Sequence, residues 1–246
     1  EKLWEVILSC SRALEGDPEE NWRLHNLELK ARADRLNAMG LVSLEYRSAN
    51  GTDLKVGLIP EALFLGGAER CPVNGVLYDP NIPSEELFIT PKAGSAEGIV
   101  HATMPLVFQG ILIEDFWLRF EGGKVTELHA EKNEEALRTL VSMDEGAAML
   151  GECALVPYAS PIRESGILFY NTLFDENAAC HLALGRGYSS NIRDYENYSL
   201  EELRAMGVND SMVHEDFMIG SEDLSITGVT AAGERVAIFR DGGWAF

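Results

Sequence analysis

The stretch Ser211–Gly220 reads SMVHEDFMIG. Apolar Met212, Val213, Phe217, Met218 and Ile219 surround His214, Glu215 and Asp216, and the run lies between Asn209-Asp210 and Gly220-Ser221. A short apolar run closed by turn-forming residues predicts a strand over 211–219. Side chains two apart in a strand share a face, so His214 and Asp216 project together while Glu215 points away. An imidazole and a carboxylate aimed from one rigid strand suit a divalent metal. The pattern equally fits an exposed edge strand with a polar wet face, and H-x-D alone does not choose between the two.

The rest of the chain sets limits on that site. Its 246 residues are 46% hydrophobic with a mean hydropathy of -0.07, enough to bury a full core. Forty acidic against twenty basic residues give a formal net charge of -20. That argues against nucleic acid, whose phosphates demand a basic face, and against anionic membrane surfaces. No run of about 18 apolar residues exists to span a bilayer, and no secretory signal pattern is visible. The chain opens at Glu1, without Met and already inside a helical pattern, which reads as a piece of a longer protein. Cys10, Cys71, Cys153 and Cys180 are scattered and form no CxxC pair. They predict free thiols in a reducing compartment, the cytoplasm by default.

Two leading helices are predicted over 1–15 and 18–39. In the second, Trp22, Leu29 and Leu36 fall on one face with Met39 beyond them; Asp17 caps its start, Pro18 occupies the first turn and Gly40 ends it. Alternating strands at 41–48 and 53–60 flank the hairpin signal Ala49-Asn50-Gly51-Thr52. Further strands are expected at 99–103, 110–118, 124–128, 151–157, 211–219, 224–229 and 235–239, with His181–Gly185 following a short helix at 175–180. Helices are expected at 131–143 and 144–149, and at 200–206 behind a Ser199/Glu202 capping box. No linker or repeat divides the chain. The whole reads as one α+β domain over 1–246, with helices over 1–39 leading a sheet-rich region over 41–246 of mixed, largely antiparallel sheet.

GxSxG, GxxxxGK[ST], HExxH and GxGxxG are absent. What remains is acids and histidines in apolar or constrained settings. Glu152 lies in MLGECALVP, where a carboxylate is costly unless paired or metal-bound, or else sits at a strand end on the sheet surface. Glu86 precedes the apolar Leu87-Phe88-Ile89 and by itself is an ordinary loop acid. Glu176 and His181 flank Asn177-Ala178-Ala179-Cys180, and a histidine before Leu-Ala-Leu is commonly a satisfied core residue. Tyr188 follows Gly185-Arg186-Gly187, whose glycines permit close backbone approach or simply make a turn. His25 and His129 read as solvated, and His101 has no acidic neighbour in sequence. Together, the carboxylates, two histidines and a tyrosine could supply a site with two metals about 3.5–4 Å apart and room for a water.

Four ordered segments carry a specific resemblance: Asn81–Pro91 (NIPSEELFITP), Gly151–Pro157 (GECALVP), Phe174–Gly185 (FDENAACHLALG) and His214–Gly220 (HEDFMIG). The chain resembles the aminopeptidase T family of metallopeptidases from the Trp4 helix to Asp241-Gly242-Gly243. The resemblance implies a co-catalytic pair of divalent ions, zinc or cobalt. It implies Glu86, Glu152, His181, His214 and Asp216 as ligands, with Glu152 bridging both ions, and Tyr188 as the active-site tyrosine. Glu176 matches a family acidic position, either a ligand or a group behind the ligands. The family also implies a homodimer with an enclosed active site and an additional N-terminal α/β domain.

The expectation is therefore a dinuclear metal aminopeptidase acting on short peptides, with Glu86 or Glu176 taking the proton of the attacking water and Tyr188 facing the oxyanion. The alternatives are a regulatory or assembly domain that keeps the fold without turnover, and a dinuclear hydrolase of another amide or ester.

Overall fold

The computed structural model describes residues 2–71 and 73–246; Glu1, at the head of the first predicted helix, and Pro72, in the predicted Cys71–Gly75 loop, lie outside them. The chain begins with helices α1 (Lys2–Cys10) and α2 (Pro18–Ala38). Strands β1 (Leu41–Arg47), β2 (Asp53–Gly57), β3 (Glu69–Arg70), β4 (Leu77–Tyr78), β5 (Leu87–Ile89), β6 (Glu97–His101), β7 (Leu106–Phe108), β8 (Ile111–Glu121) and β9 (Lys124–Lys132) follow. Then come α3 (Glu134–Val141), β10 (Leu150–Leu155), α4 (Pro161–Glu164), α5 (Thr172–Glu176), β11 (His181–Gly185) and α6 (Leu200–Met206). The chain closes with β12 (His214–Met218), β13 (Ser225–Thr230), β14 (Arg235–Arg240) and β15 (Gly243–Trp244).

The strands form a nine-stranded sheet in the order β15-β14-β13-β1-β2-β6-β8-β7, with β9 on β8, and a four-stranded sheet in the order β12-β11-β10-β5. Strand pairing is antiparallel throughout the described residues. The α+β expectation holds. The main core lies between the two sheets and α2: Tyr46, Phe116 and Phe120 from the large sheet share it with Cys153, Leu182, Leu184 and Phe217 from the small one. Phe116 and Phe217 meet across it with ring centroids 5.8 Å apart.

Local signals act where they were expected. Asp17 caps α2 by accepting the Glu19 N–H at 3.0 Å, and Trp22, Leu29 and Leu36 are buried beneath it. Ser199 and Glu202 make the reciprocal capping box of α6. Other boundaries move for identifiable reasons. The first helix stops at Cys10, since Arg12 adopts a left-handed backbone with φ 54°. Glu131 and Lys132 extend β9 instead of opening α3, and the break comes at left-handed Asn133. The segment 144–149 gives only a 3₁₀ turn over Gly146–Ala148. The short helix lies at Thr172–Glu176 rather than 175–180.

The small sheet positions the candidate site. Its registers align Glu152 with Ala183 and Ala183 with Asp216, Ala154 with His181, Gly185 with His214, and Ala154 with Phe88. Aligned residues share a face and side chains alternate along each strand. One face therefore carries Leu87, Ile89, Cys153, Leu155, Leu182, Leu184 and Phe217, all members of the core. The other face carries Glu152, His181, His214 and Asp216, separated by Ala154, Ala183 and Gly185.

Candidate metal centre

A cavity of about 200 Å³ opens over that second face, and Glu86, Glu152, Glu176, His181, Tyr188, His214 and Asp216 all line it. Every candidate site residue of the sequence reading thus converges on one place. Glu152 is 4% exposed, so it is a buried acid and not a surface strand end. Glu215 is outside the cavity, as alternation requires, and burial pushes its carboxyl up to about 7. His129 is half-buried and bonded between Glu131 and Glu134, and His101 does not line the cavity. His25 is a correction: it is buried, since the α1–α2 turn and the segment before β5 close over it, and its Nε2 donates to the Ser84 carbonyl at 2.7 Å.

Two groups of side chains offer ligand atoms within 4.8 Å of one another: Glu86, Glu152 and His181, and Glu152, His214 and Asp216. Glu152 belongs to both. Both imidazoles are oriented the same way. His181 Nδ1 donates to the Ala179 carbonyl at 3.1 Å, and His214 Nδ1 donates to the Arg186 carbonyl at 2.7 Å. That leaves His181 Nε2 facing Glu86 at 3.1 Å. His214 Nε2 faces Glu152 at 3.2 Å and Asp216 at 3.4 Å. A backbone carbonyl holding one ring nitrogen while the other points into a carboxylate cluster is the usual orientation of a metal-ligating histidine. Glu86 Oε2 and Asp216 Oδ1 are buried and lack a well-aligned hydrogen-bond donor. Each is a lone pair that a cation would satisfy, so the residues present fit a divalent metal.

The charges say the same. Five carboxylates line the cavity, Glu69 at its exposed edge with Glu86, Glu152, Glu176 and Asp216, and among the described residues neither Lys nor Arg does. Burial pushes Glu152 up to about 7, with Glu86 and Asp216 adding to the rise and His214 opposing it. Burial pushes Glu176 up to about 9, reinforced by Asp216 and Glu86. Burial alone would lower both histidines, but Glu86 carries His181 up to about 10, and Asp216 with Glu152 carries His214 up to about 11. Asp216 is held low against its burial by His214 and His181. Without a cation, the cluster gathers protons to offset its own negative charge. A divalent ion would replace those protons.

Tyr188 stands at the rim, its ring 4.8 Å from that of His214 and its hydroxyl 3.2 Å from His214 Nε2. Burial and then Glu152 and Asp216 push its phenol upward, so it keeps its proton as a donor. Its backbone is pinned by Thr90, whose Oγ1 accepts the Tyr188 N–H at 2.7 Å and lies 3.1 Å from Asn191 Oδ1. Close packing explains the neighbouring glycines: a Cβ on Gly185 would meet the Val213 carbonyl at 2.1 Å, and one on Gly187 would meet Thr90 at 2.7 Å. Sequence reasoning missed Thr90 and Asn191, and it missed Gly66, where a Cβ would meet the Glu86 carbonyl at 2.3 Å. The one available signal for Thr90 was its place inside the constrained NIPSEELFITP segment.

The family described as Thermophilic metalloprotease (M29) matches residues 1–244. Aminopeptidase 2 of Geobacillus stearothermophilus is 48% identical over 246 residues, covering 100% of this chain and 59% of that protein. Aminopeptidase AmpS of Bacillus subtilis strain 168 is 46% identical over 244 residues, covering 99% of this chain and 59% of that protein. The solved structure of wild-type AmpT from Thermus thermophilus superposes with a TM-score of 0.89 at 41% identity, covering 100% of this chain and 58% of that one. The chain thus spans somewhat under two thirds of the length of the relatives it matches.

Ala183 lies directly between Glu152 and Asp216 in the register, so its small side chain is what lets ligands from the flanking strands meet. Ala183→Leu should fill that space, abolish divalent-cation binding in isothermal titration and leave cooperative unfolding and near-UV circular dichroism intact. Binding at the parent affinity would show that the cluster does not assemble over Ala183.

Proposed function

The chain belongs to the thermophilic metalloprotease family M29, and from that premise we propose that it is the catalytic portion of a metal-dependent aminopeptidase that releases N-terminal residues from short peptides. The observation that carries the reading is the pair of ligand triads sharing Glu152. We assign Glu86 and His181 to one ion, His214 and Asp216 to the other, and Glu152 to the bridge. Zinc or cobalt suits a set of imidazole nitrogens and carboxylate oxygens. When bound, such a pair supplies Lewis acidity toward the scissile carbonyl and a water of lowered pKa.

The chain's own residues supply the rest. Glu69 and Glu176 line the cavity yet belong to neither triad; Glu69 is exposed and Glu176 half-buried, so Glu176 is the carboxylate placed to take the proton of the attacking water and pass it to the leaving amine. Glu86 is the other candidate, but its place in a triad commits it to a ligand's role. Tyr188 keeps its proton and would donate it as a hydrogen bond to the oxygen that gains charge. A wall of carboxylates without Lys or Arg favours a substrate with a free cationic N-terminus. The family resemblance supports a homodimer. Four free cysteines support a reducing compartment, for which we propose the cytoplasm. No helix among the described residues is long and apolar enough to cross a membrane.

The test is hydrolysis of an aminoacyl-p-nitroanilide by the complete protein. Exhaustive dialysis against a chelator should abolish turnover, zinc or cobalt should restore it, and the N-acetylated analogue should resist cleavage. Full activity in verified metal-free protein would reject the mechanism; rapid cleavage of the acetylated analogue would make the enzyme a hydrolase of another amide. Tyr188→Phe should lower kcat by roughly 10²–10³ with unchanged metal content. An unchanged kcat would leave Tyr188 a packing residue.

A further inference from the structure

Four of the groups assigned to the centre sit in strands of the small sheet, where backbone pairing fixes them: Glu152, His181, His214 and Asp216. Glu86 and Glu176 do not. Glu86 lies just before β5, and Glu176 is the last residue of the five-residue helix α5. Something else must hold these two carboxylates in place. Each is followed or preceded by a residue whose polar groups join them. The backbone N–H of Glu85 donates to Asn177 Oδ1 at 2.7 Å. Asn177 Nδ2 donates to the Leu173 carbonyl of α5 at 2.9 Å, and the asparagine is 0% exposed.

A second clamp backs the first from the other side. The Arg12 guanidinium makes a two-pronged pair with the Glu85 carboxylate, one prong at 2.8 Å, and Glu85 is itself buried. Arg12 reaches it from a backbone with φ 54°, a region non-glycine residues rarely occupy unless the surroundings impose it. Asn21 fixes that turn by donating to the Arg12 carbonyl at 3.0 Å. His25 holds the preceding residue by donating to the Ser84 carbonyl at 2.7 Å. The carboxylate of Glu85 is thus drawn outward to Arg12 while that of Glu86 enters the cavity.

We infer that Asn177 is a positioning residue. Its amide bridge, backed by the Arg12–Glu85 pair, sets where the ligand Glu86 stands beside Glu176 and thereby how tightly the centre holds a divalent cation. The inference rests on the metal-site reading above. Asn177 touches neither substrate nor metal in this account; it acts through the residues beside it. Ligand geometry must be held to about 0.5 Å for full affinity, and groups that orient ligands are worth about 10–100-fold in metal affinity.

The experiment is zinc competition against a chromophoric chelator, read on the complete protein well below its melting temperature. Asn177→Ala should weaken zinc affinity by about tenfold or more. Asn177→Asp keeps the oxygen that receives the Glu85 N–H and should lose less. Leu140→Ala, a fully buried core truncation in α3, is the control: it lowers the melting temperature and should leave zinc affinity unchanged. If Asn177→Ala does not fold, Arg12→Gln loosens Glu85 from the opposite side and should weaken zinc in the same direction. Parent-like affinity in the folded variant overturns the inference, as does an equal loss in Leu140→Ala. A parent protein that binds no divalent cation overturns the metal-site reading and this inference with it.

Discussion

The structure depends on the antiparallel register of β10, β11 and β12. Alignment of Glu152 with Ala183 and of Ala183 with Asp216 puts two carboxylates from outer strands over a methyl group on the middle one. Alternation sends the intervening side chains, Cys153, Leu182 and Phe217, into the core. A slip of one residue in any of the three strands would exchange the faces, burying charge in the core and exposing apolar side chains. The apolar face therefore fixes the register, and the register fixes the site.

That arrangement concentrates negative charge where water is scarce. Burying an unpaired carboxylate is costly, and removing it from water is repaid only by an opposite charge in good geometry. Glu86, Glu152, Glu176 and Asp216 have no lysine or arginine among them. The upward displacement of Glu152 and Glu176 comes from burial beside other carboxylates, and that of His181 and His214 from the carboxylates they face. Two divalent cations would balance four carboxylates. Fully buried amides and hydroxyls hold the frame around them: Asn191 and Thr90 under Tyr188, and Asn209, which donates to the Gly146 carbonyl at 2.9 Å behind β10 and β11.

Much of this was legible in the sequence because it depends on short-range periodicity. His214 and Asp216 share a face by alternation alone, and the caps at Asp17 and Ser199 are set within three residues. The ordered motifs then identified Glu86, Glu152, Glu176, His181 and Tyr188, which spacing could not bring together. What stayed hidden depends on contacts between distant segments. His25 sits on a helix rich in charge and reads as solvated, yet Ser84, 59 positions away, covers it. Thr90 and Asn191 read as ordinary loop residues, and Asn177 as one position of a short helix predicted at 175–180, until the fold buries them. The overshoot of the first helix has the same origin, for nothing near Arg12 in sequence announces the buried Glu85 that it turns to meet.

The central claim is that Glu152 joins two metal sites into one. Two dications about 3.5–4 Å apart repel strongly, since each pair of unit charges at 4 Å interacts by roughly 4 kcal/mol at an effective dielectric of 20. A carboxylate giving one oxygen to each ion offsets part of that. Glu152→Gln keeps the shape, but its NH₂ end cannot coordinate a metal. Elemental analysis of the purified variant should find at most one tightly held ion per chain where the parent holds two. Two ions per chain in Glu152→Gln, retained as firmly as in the parent, would contradict the account.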